Sequence, residues 1–244
     1  MKLFVFFTLL FGSASFAQAS VNRSAIDEYF GCPSSSFLCK TLNANIDGDT
    51  NGCLVKPRDI NRFESFRSSR APASKAWKMN GRINYFGVIR GRYLYKVERL
   101  SARNYVLHAK IHFKNKNEFS SLEIDQYRKK IERASEIWTR NNTFRNNITF
   151  KFSIADKADS KTVSARLIRP YTRGPYFSKW SLSWDVETIA HEFGHVMGLR
   201  DEYEYFDDNN SSNNCSSSSL MCNSYGRPQD HHYFLIFQRP FCEV

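Results

Sequence analysis

His191 and His195 stand four residues apart, with Glu192 beside the first, in a window whose apolar residues follow a helical period. Ile189, Phe193 and Val196 recur at spacings of three and four, which predicts an amphipathic helix from about Asp185 to Met197. Asp185 suits an N-cap, and Gly198 follows the last periodic residue, where helices often end with a positive φ. Residues four apart on a helix share one face, so both imidazoles can reach a single ion. The pattern asks for a helix packed through Phe193, with both rings on the opposite face.

Imidazole ligands, tetrahedral geometry and an open fourth position favour zinc. Glu192 adjoins the first ligand, where its carboxylate can deprotonate metal-activated water instead of binding the metal. Catalytic zinc usually has three protein ligands. Asp201, three residues past Gly198, is the candidate third ligand, and Glu202, His231 and His232 compete with it.

The run His191-Glu192-Phe193-Gly194-His195-Val196-Met197-Gly198-Leu199-Arg200-Asp201 resembles the metzincin metallopeptidases. Their pattern is HExxHxxGxx followed by His or, in the snapalysin type, Asp. The resemblance implies metal ligands His191, His195 and Asp201, with Glu192 as the catalytic residue. It also implies a methionine turn beneath the metal, for which Leu220-Met221-Cys222-Asn223 is suitably placed. By the same resemblance, the Tyr176 to Trp184 stretch before the active-site helix pairs with substrate backbone. Two positions depart from the commonest pattern: Asp201 replaces a histidine, and Asn223 stands where a tyrosine sometimes follows the turn methionine. Tyr225 and Tyr233 are candidates for assisting the oxyanion, with simple packing as the alternative for each.

The rest of the chain supplies elements of both kinds. Lys78 to Leu100 is rich in Tyr, Ile and Val, and Asn80-Gly81 and Arg90-Gly91 look like turns of hairpin material. Leu107, Ala109, Ile111 and Phe113 alternate with polar residues as a half-buried strand does. Ser120 and Glu123 form a capping-box pair, and Phe119 is placed to staple against Ile124. Ile124, Tyr127, Ile131, Ala134 and Trp138 then mark a helix of about five turns with one apolar stripe. Ile148 to Ile154 and Val163 to Leu167 alternate again, and a further short strand is expected over Tyr176 to Trp184. Residues 20 to about 75 and the polar run Asp207 to Ser219 show no sustained period. The order of elements predicts an α+β fold. The resemblance, which covers about Asn104 to Met221, makes it metzincin-like: a mixed twisted sheet, two long helices and a small irregular C-terminal part.

The chain opens with Lys2, the apolar run Leu3 to Phe11 and Ala17-Gln18-Ala19, which reads as a signal peptide over residues 1–19. Residues 20–90 then form a cysteine-containing extension, with a propeptide role left open, and residues 91–244 form the catalytic domain. No stretch is apolar enough for a transmembrane span, which needs about 20 residues. The expected location is secreted or periplasmic. Six cysteines in an exported chain suggest disulfides, and six permit 15 pairings. Cys215 and Cys222 bracket Met221 and would clamp its loop if paired. Cys32 could block the metal in a zymogen, but that would leave an odd number for pairing, so a disulfide is preferred.

The formal charge is +11, read as spread over solvated faces. A basic exported chain is drawn to acidic envelope surfaces. There is no Lys/Arg tract and no nucleic-acid motif, so nucleic acid is not an expected partner. Asp47-Gly48-Asp49-Thr50-Asn51-Gly52 matches the first half of a calcium loop, but Arg58 occupies the acidic twelfth position, and a polar glycine turn is the alternative. The expected activity is that of an exported zinc endopeptidase acting on protein or peptide substrates. The alternatives are a zinc amide hydrolase acting on cell-wall polymer and a non-catalytic cationic envelope-binding protein.

Overall fold

The computed structural model describes residues 30–31, 36–49, 76–85, 89–101, 103–142, 147–159, 162–169, 179–202 and 215–242. The fold is α+β, with a mixed open sheet and four helices among the described residues. The expected signal peptide lies outside them, as do Cys32, Cys53 and residues 50–58 of the calcium-loop reading.

Helix α1 (Phe37–Gly48) lies in the region expected to be irregular. Ser36 caps it by accepting from the Cys39 amide, and Cys39 and Leu42 are fully buried. Strands β1 (Ala76–Tyr85) and β2 (Ile89–Arg99) form an antiparallel hairpin. The two expected glycine turns lie inside its strands: Gly81 pairs with Tyr93, and Gly91 with Ile83. A side chain at position 81 would collide with the Tyr93 ring, so packing rather than turning accounts for that glycine. Residue 91, the expected boundary, falls within β2, which pairs with β1 on one side and β3 on the other.

Strand β3 (Asn104–Phe113) lies at the centre. It pairs antiparallel with β2 and parallel with β4 (Asn147–Ile154) and β5 (Val163–Ile168). Ile111 pairs with both Ile154 and Val163, so β4 and β5 flank opposite edges, and β5 continues the edge that β2 begins. The short β6 (Lys179–Ser181) extends the sheet beyond β5.

Helix α2 (Ser121–Arg140) starts at the expected capping box and buries the expected stripe from Ile124 to Trp138. Helix α3 (Val186–Val196) carries both histidines, and helix α4 (Asp230–Cys242) closes the described chain. All four helices meet one face of the sheet. Phe193 of α3 stacks on Phe152 of β4 at 4.1 Å, and Phe150 meets both Trp138 of α2 and Phe237 of α4. At the end of α1, Asp49 reaches Tyr93 of β2. Helix α3 is therefore buried nearly all round, from Thr188 to Val196, and not on one face only.

Candidate metal centre

Helix α3 is fixed at both ends. Asp185 Oδ1 accepts from the Thr188 amide at 2.7 Å and so satisfies one of the unpaired first-turn donors. Gly198, at φ +88°, turns the chain sharply after the helix, as its position in the sequence anticipated. A side chain there would crowd Tyr93 and Arg239. The turn brings Asp201 back against the helix.

The structure brings His191, His195 and Asp201 together, each buried and with ligand atoms within 4.8 Å of one another. Asp201 Oδ1 lies 3.0 Å from His191 Nε2 and 3.3 Å from His195 Nε2. Both other ring nitrogens face backbone carbonyls: His191 Nδ1 meets Leu220 O at 2.7 Å, and His195 Nδ1 meets Leu199 O at 2.8 Å. A carbonyl can only accept, so each Nδ1 carries the proton and each neutral ring turns an Nε2 lone pair towards Asp201.

Three electron-pair donors thus converge in a buried space, and Asp201 Oδ1 makes no contact of hydrogen-bond geometry there. Such a cluster needs positive charge. Without a metal, protons supply it. Burial works against a charged His195, but Asp201 outweighs burial and lifts its pKa to about 9. Burial likewise opposes ionisation of Asp201, and the two histidines hold its carboxyl well below the ordinary range. A divalent cation would meet the same need with two imidazoles and a carboxylate, a donor set that suits zinc. The residues fit a metal ion. Glu192, also buried, sits one residue from His191.

The other candidate ligands assemble elsewhere. Glu202 Oε1 lies 2.6 Å from His231 Nε2 and 2.8 Å from His232 Nε2, and all three residues are buried. This group also has the spacing for a metal, but its proton pattern differs. The Gln229 amide donates to His232 Nδ1 at 3.0 Å, so the neutral ring carries its proton on Nε2 and donates to Glu202. His232 thus turns a proton towards Glu202, whereas the neutral rings of His191 and His195 turn lone pairs towards Asp201. Glu202 is further held by its amide, which donates to Met221 O. The second cluster thereby fixes the residue next to Asp201.

Met221 is fully buried. A side chain on Gly194, between the two histidines, would collide with its sulfur, so the methionine lies directly against the metal-site helix. Cys215 and Cys222 are joined in a disulfide that closes the loop holding Met221. The same loop presents the Leu220 carbonyl to His191. Tyr233 donates to Trp138 O and is packed in the core, while exposed Tyr225 donates to Asp185 Oδ2.

Two contributors had no signal in the sequence. The buried Arg239 guanidinium donates to Met197 O and Gly198 O, both at 2.8 Å, and to Asp49 Oδ2 at 2.6 Å. It satisfies carbonyls left open at the end of α3. Asp49, expected as a calcium ligand, accepts from Arg239 and from Tyr93. In α1, Asn45 Oδ1 accepts from the Arg200 amide and Ala44 O from the Arg200 side chain. The turn that delivers Asp201 is thus gripped by residues from both ends of the chain.

No protein-family model matches the chain, and neither does any curated protein or solved structure.

Proposed function

We propose that the chain is a zinc-dependent endopeptidase of the metzincin type, with Asp201 as third ligand. One observation carries the reading: two imidazole Nε2 atoms and a carboxylate oxygen converge in a buried space, with both Nδ1 protons already committed to carbonyls. Glu192 inside the HExxH run, the Gly198 turn and Met221 beneath the helix support it.

Zinc bound there would polarise a peptide carbonyl and lower the pKa of the attacking water. Glu192 takes the proton of that water and returns it to the departing amine. His191 and His195 are kept in the ligating tautomer by Leu220 O and Leu199 O. The Cys215–Cys222 disulfide suits an oxidising compartment, in keeping with export. No helix among the described residues is long and apolar enough to cross a membrane.

Purified protein incubated with a proteome-derived peptide library, with cleavage sites read by mass spectrometry, tests the reading. Cleavage is expected, sensitive to a chelator and restored by zinc. Glu192→Gln should abolish it while zinc content stays unchanged. Undiminished cleavage by Glu192→Gln would overturn the assigned role.

A further inference from the structure

The face of the sheet away from the helices carries an unusual arrangement of charge. Strand register places Lys78 opposite Lys96, Lys96 opposite His108, and His108 opposite Lys151. This is one row across four adjacent strands, about 14 Å long at the ~4.8 Å strand spacing. Arg82 also faces Arg92, and Arg166, which lies 3.6 Å from Glu118, faces Lys179. Like charges directly opposite each other destabilise a sheet, and here they recur along it. Among the described residues, the acid in the row region is Glu98, which lies 3.1 Å from Lys96 and 3.6 Å from His108 Nε2.

Helix α2 makes the contrast. It carries five basic residues and four acidic ones, intermixed, as a solvated face does. Among the described residues of the sheet face, basic side chains outnumber acidic ones. The local field acts on His108: burial and the Lys96 charge, with Lys151 and Lys110 adding, hold its pKa below the ordinary value against the pull of Glu98. No described helix packs on this face, and Lys78, Arg82, Arg92, Lys110 and Lys151 are exposed.

We propose that this face is a docking surface for an acidic polysaccharide. Charge complementarity selects a polyanion. Between the cations stand Asn80, Asn104, Thr149 and Ser153, whose amides and hydroxyls suit sugar hydroxyl groups. The described residues of the face present no exposed aromatic ring for stacking bases. They present no large exposed apolar side chain to enter a bilayer. A row of charges running across strands matches an extended chain. The metal centre lies on the helix-bearing side, so a docked polymer leaves it accessible. The surface stands independently of the peptidase reading.

The test is binding of the whole protein to heparin oligosaccharides at physiological ionic strength, with duplex DNA and phosphatidylglycerol vesicles as parallel arms. Heparin should bind tightest, with affinity falling as salt rises. Lys78→Glu/Lys110→Glu/Lys151→Glu should weaken it at least roughly tenfold. The variant Lys129→Glu/Arg133→Glu/Arg140→Glu on α2 makes the same change in net charge and should bind as the wild type does. Zinc content and melting temperature check folding, and the corresponding Lys→Gln triple gives a milder variant expected to weaken binding in the same direction. Equal loss in the sheet and α2 variants, no loss in the sheet variants, or tighter binding to DNA or vesicles would each overturn the assignment.

Discussion

Arg239 and Asp49, 190 residues apart in the chain, form a buried ion pair with Nε to Oδ2 at 2.6 Å. The pair sits directly behind the turn that carries Asp201. The same guanidinium donates to the carbonyls of Met197 and Gly198 and lies over the Tyr93 ring, 4.3 Å from its centroid. A planar fork can serve three acceptors at fixed angles, which an ammonium cannot. The N-terminal helix is therefore built into the support of the centre, and a chain trimmed past Asp49 would lose half of this clamp.

Asp49→Asn should destabilise the fold by about 3 kcal/mol, because it leaves a buried guanidinium without its counter-charge. Arg239→Lys should not restore the geometry, since one ammonium cannot serve both carbonyls and Asp49. Denaturant melts measure the first effect. Zinc affinity by chelator competition measures the second, with a loss of roughly 10- to 100-fold expected when the ligand turn relaxes. Wild-type zinc affinity in both variants would show that the clamp supports the fold alone.

Zinc should bind with one ion per chain. The Nε2 lone pairs of His191 and His195 with Asp201 should accept it, whereas His232 already turns its proton towards Glu202. Asp201→Ala should lose the ion. Glu202→Gln should keep one ion at reduced affinity, because it disturbs only the neighbour of a ligand. Zinc at a hundredfold excess over its Kd should stabilise the protein by about 2.7 kcal/mol. Elemental analysis that finds two ions per wild-type chain would refute the distinction between the clusters.

Legibility in the sequence followed local chemistry. The capping box, the stripe of α2, the alternating strands β3, β4 and β5, and the limits of α3 were all readable, because each rests on neighbours within a few residues. The grouping of His191, His195 and Asp201 rested on a helix turn and one glycine, equally local features. Helix α1 escaped because its signal is weak: it has no acidic residue in its first turn and no basic one in its last, and Asn43, Asn45 and Gly48 fall within it. Arg239 escaped because its partners, Asp49, Met197 and Gly198, are all more than forty residues away. Gly81 was read as a turn because a glycine required by an overlying ring looks the same in sequence as one required by φ.

Acid should loosen the second cluster before it reaches the core. Burial, with His231 adding to it, outweighs Glu202 and lowers the pKa of His232 to about 4. The neutral ring is thus favoured in the folded state. Its contribution is fully present above the unfolded value of about 6.5 and is lost as pH falls towards 4. Burial raises the pKa of Glu202, but the hydrogen bonds from His231 and His232 dominate and lower it, so its contribution is also lost on the acid side. Metal-free protein melted from pH 7 down to pH 4 should lose up to about 3 kcal/mol through His232. His232→Asn should flatten that dependence, and an unchanged slope would remove His232 as its source.

Gly194→Ala separates packing from helix propensity. An exposed glycine to alanine change within a helix gains about 1 kcal/mol. At Gly194 the added methyl group would meet the sulfur of fully buried Met221, with Trp138 also nearby. Overpacking of this kind costs about 1 to 3 kcal/mol, so destabilisation should win. Met221→Ala alone should cost about 2 to 5 kcal/mol through the cavity it leaves. In the double variant that cavity receives the new methyl group, so the combined loss should fall short of the sum by about 1 kcal/mol or more. A double-mutant cycle in denaturant measures this coupling. Additive losses would mean that Met221 does not press on the helix between His191 and His195, and that its place beneath the centre has no mechanical consequence.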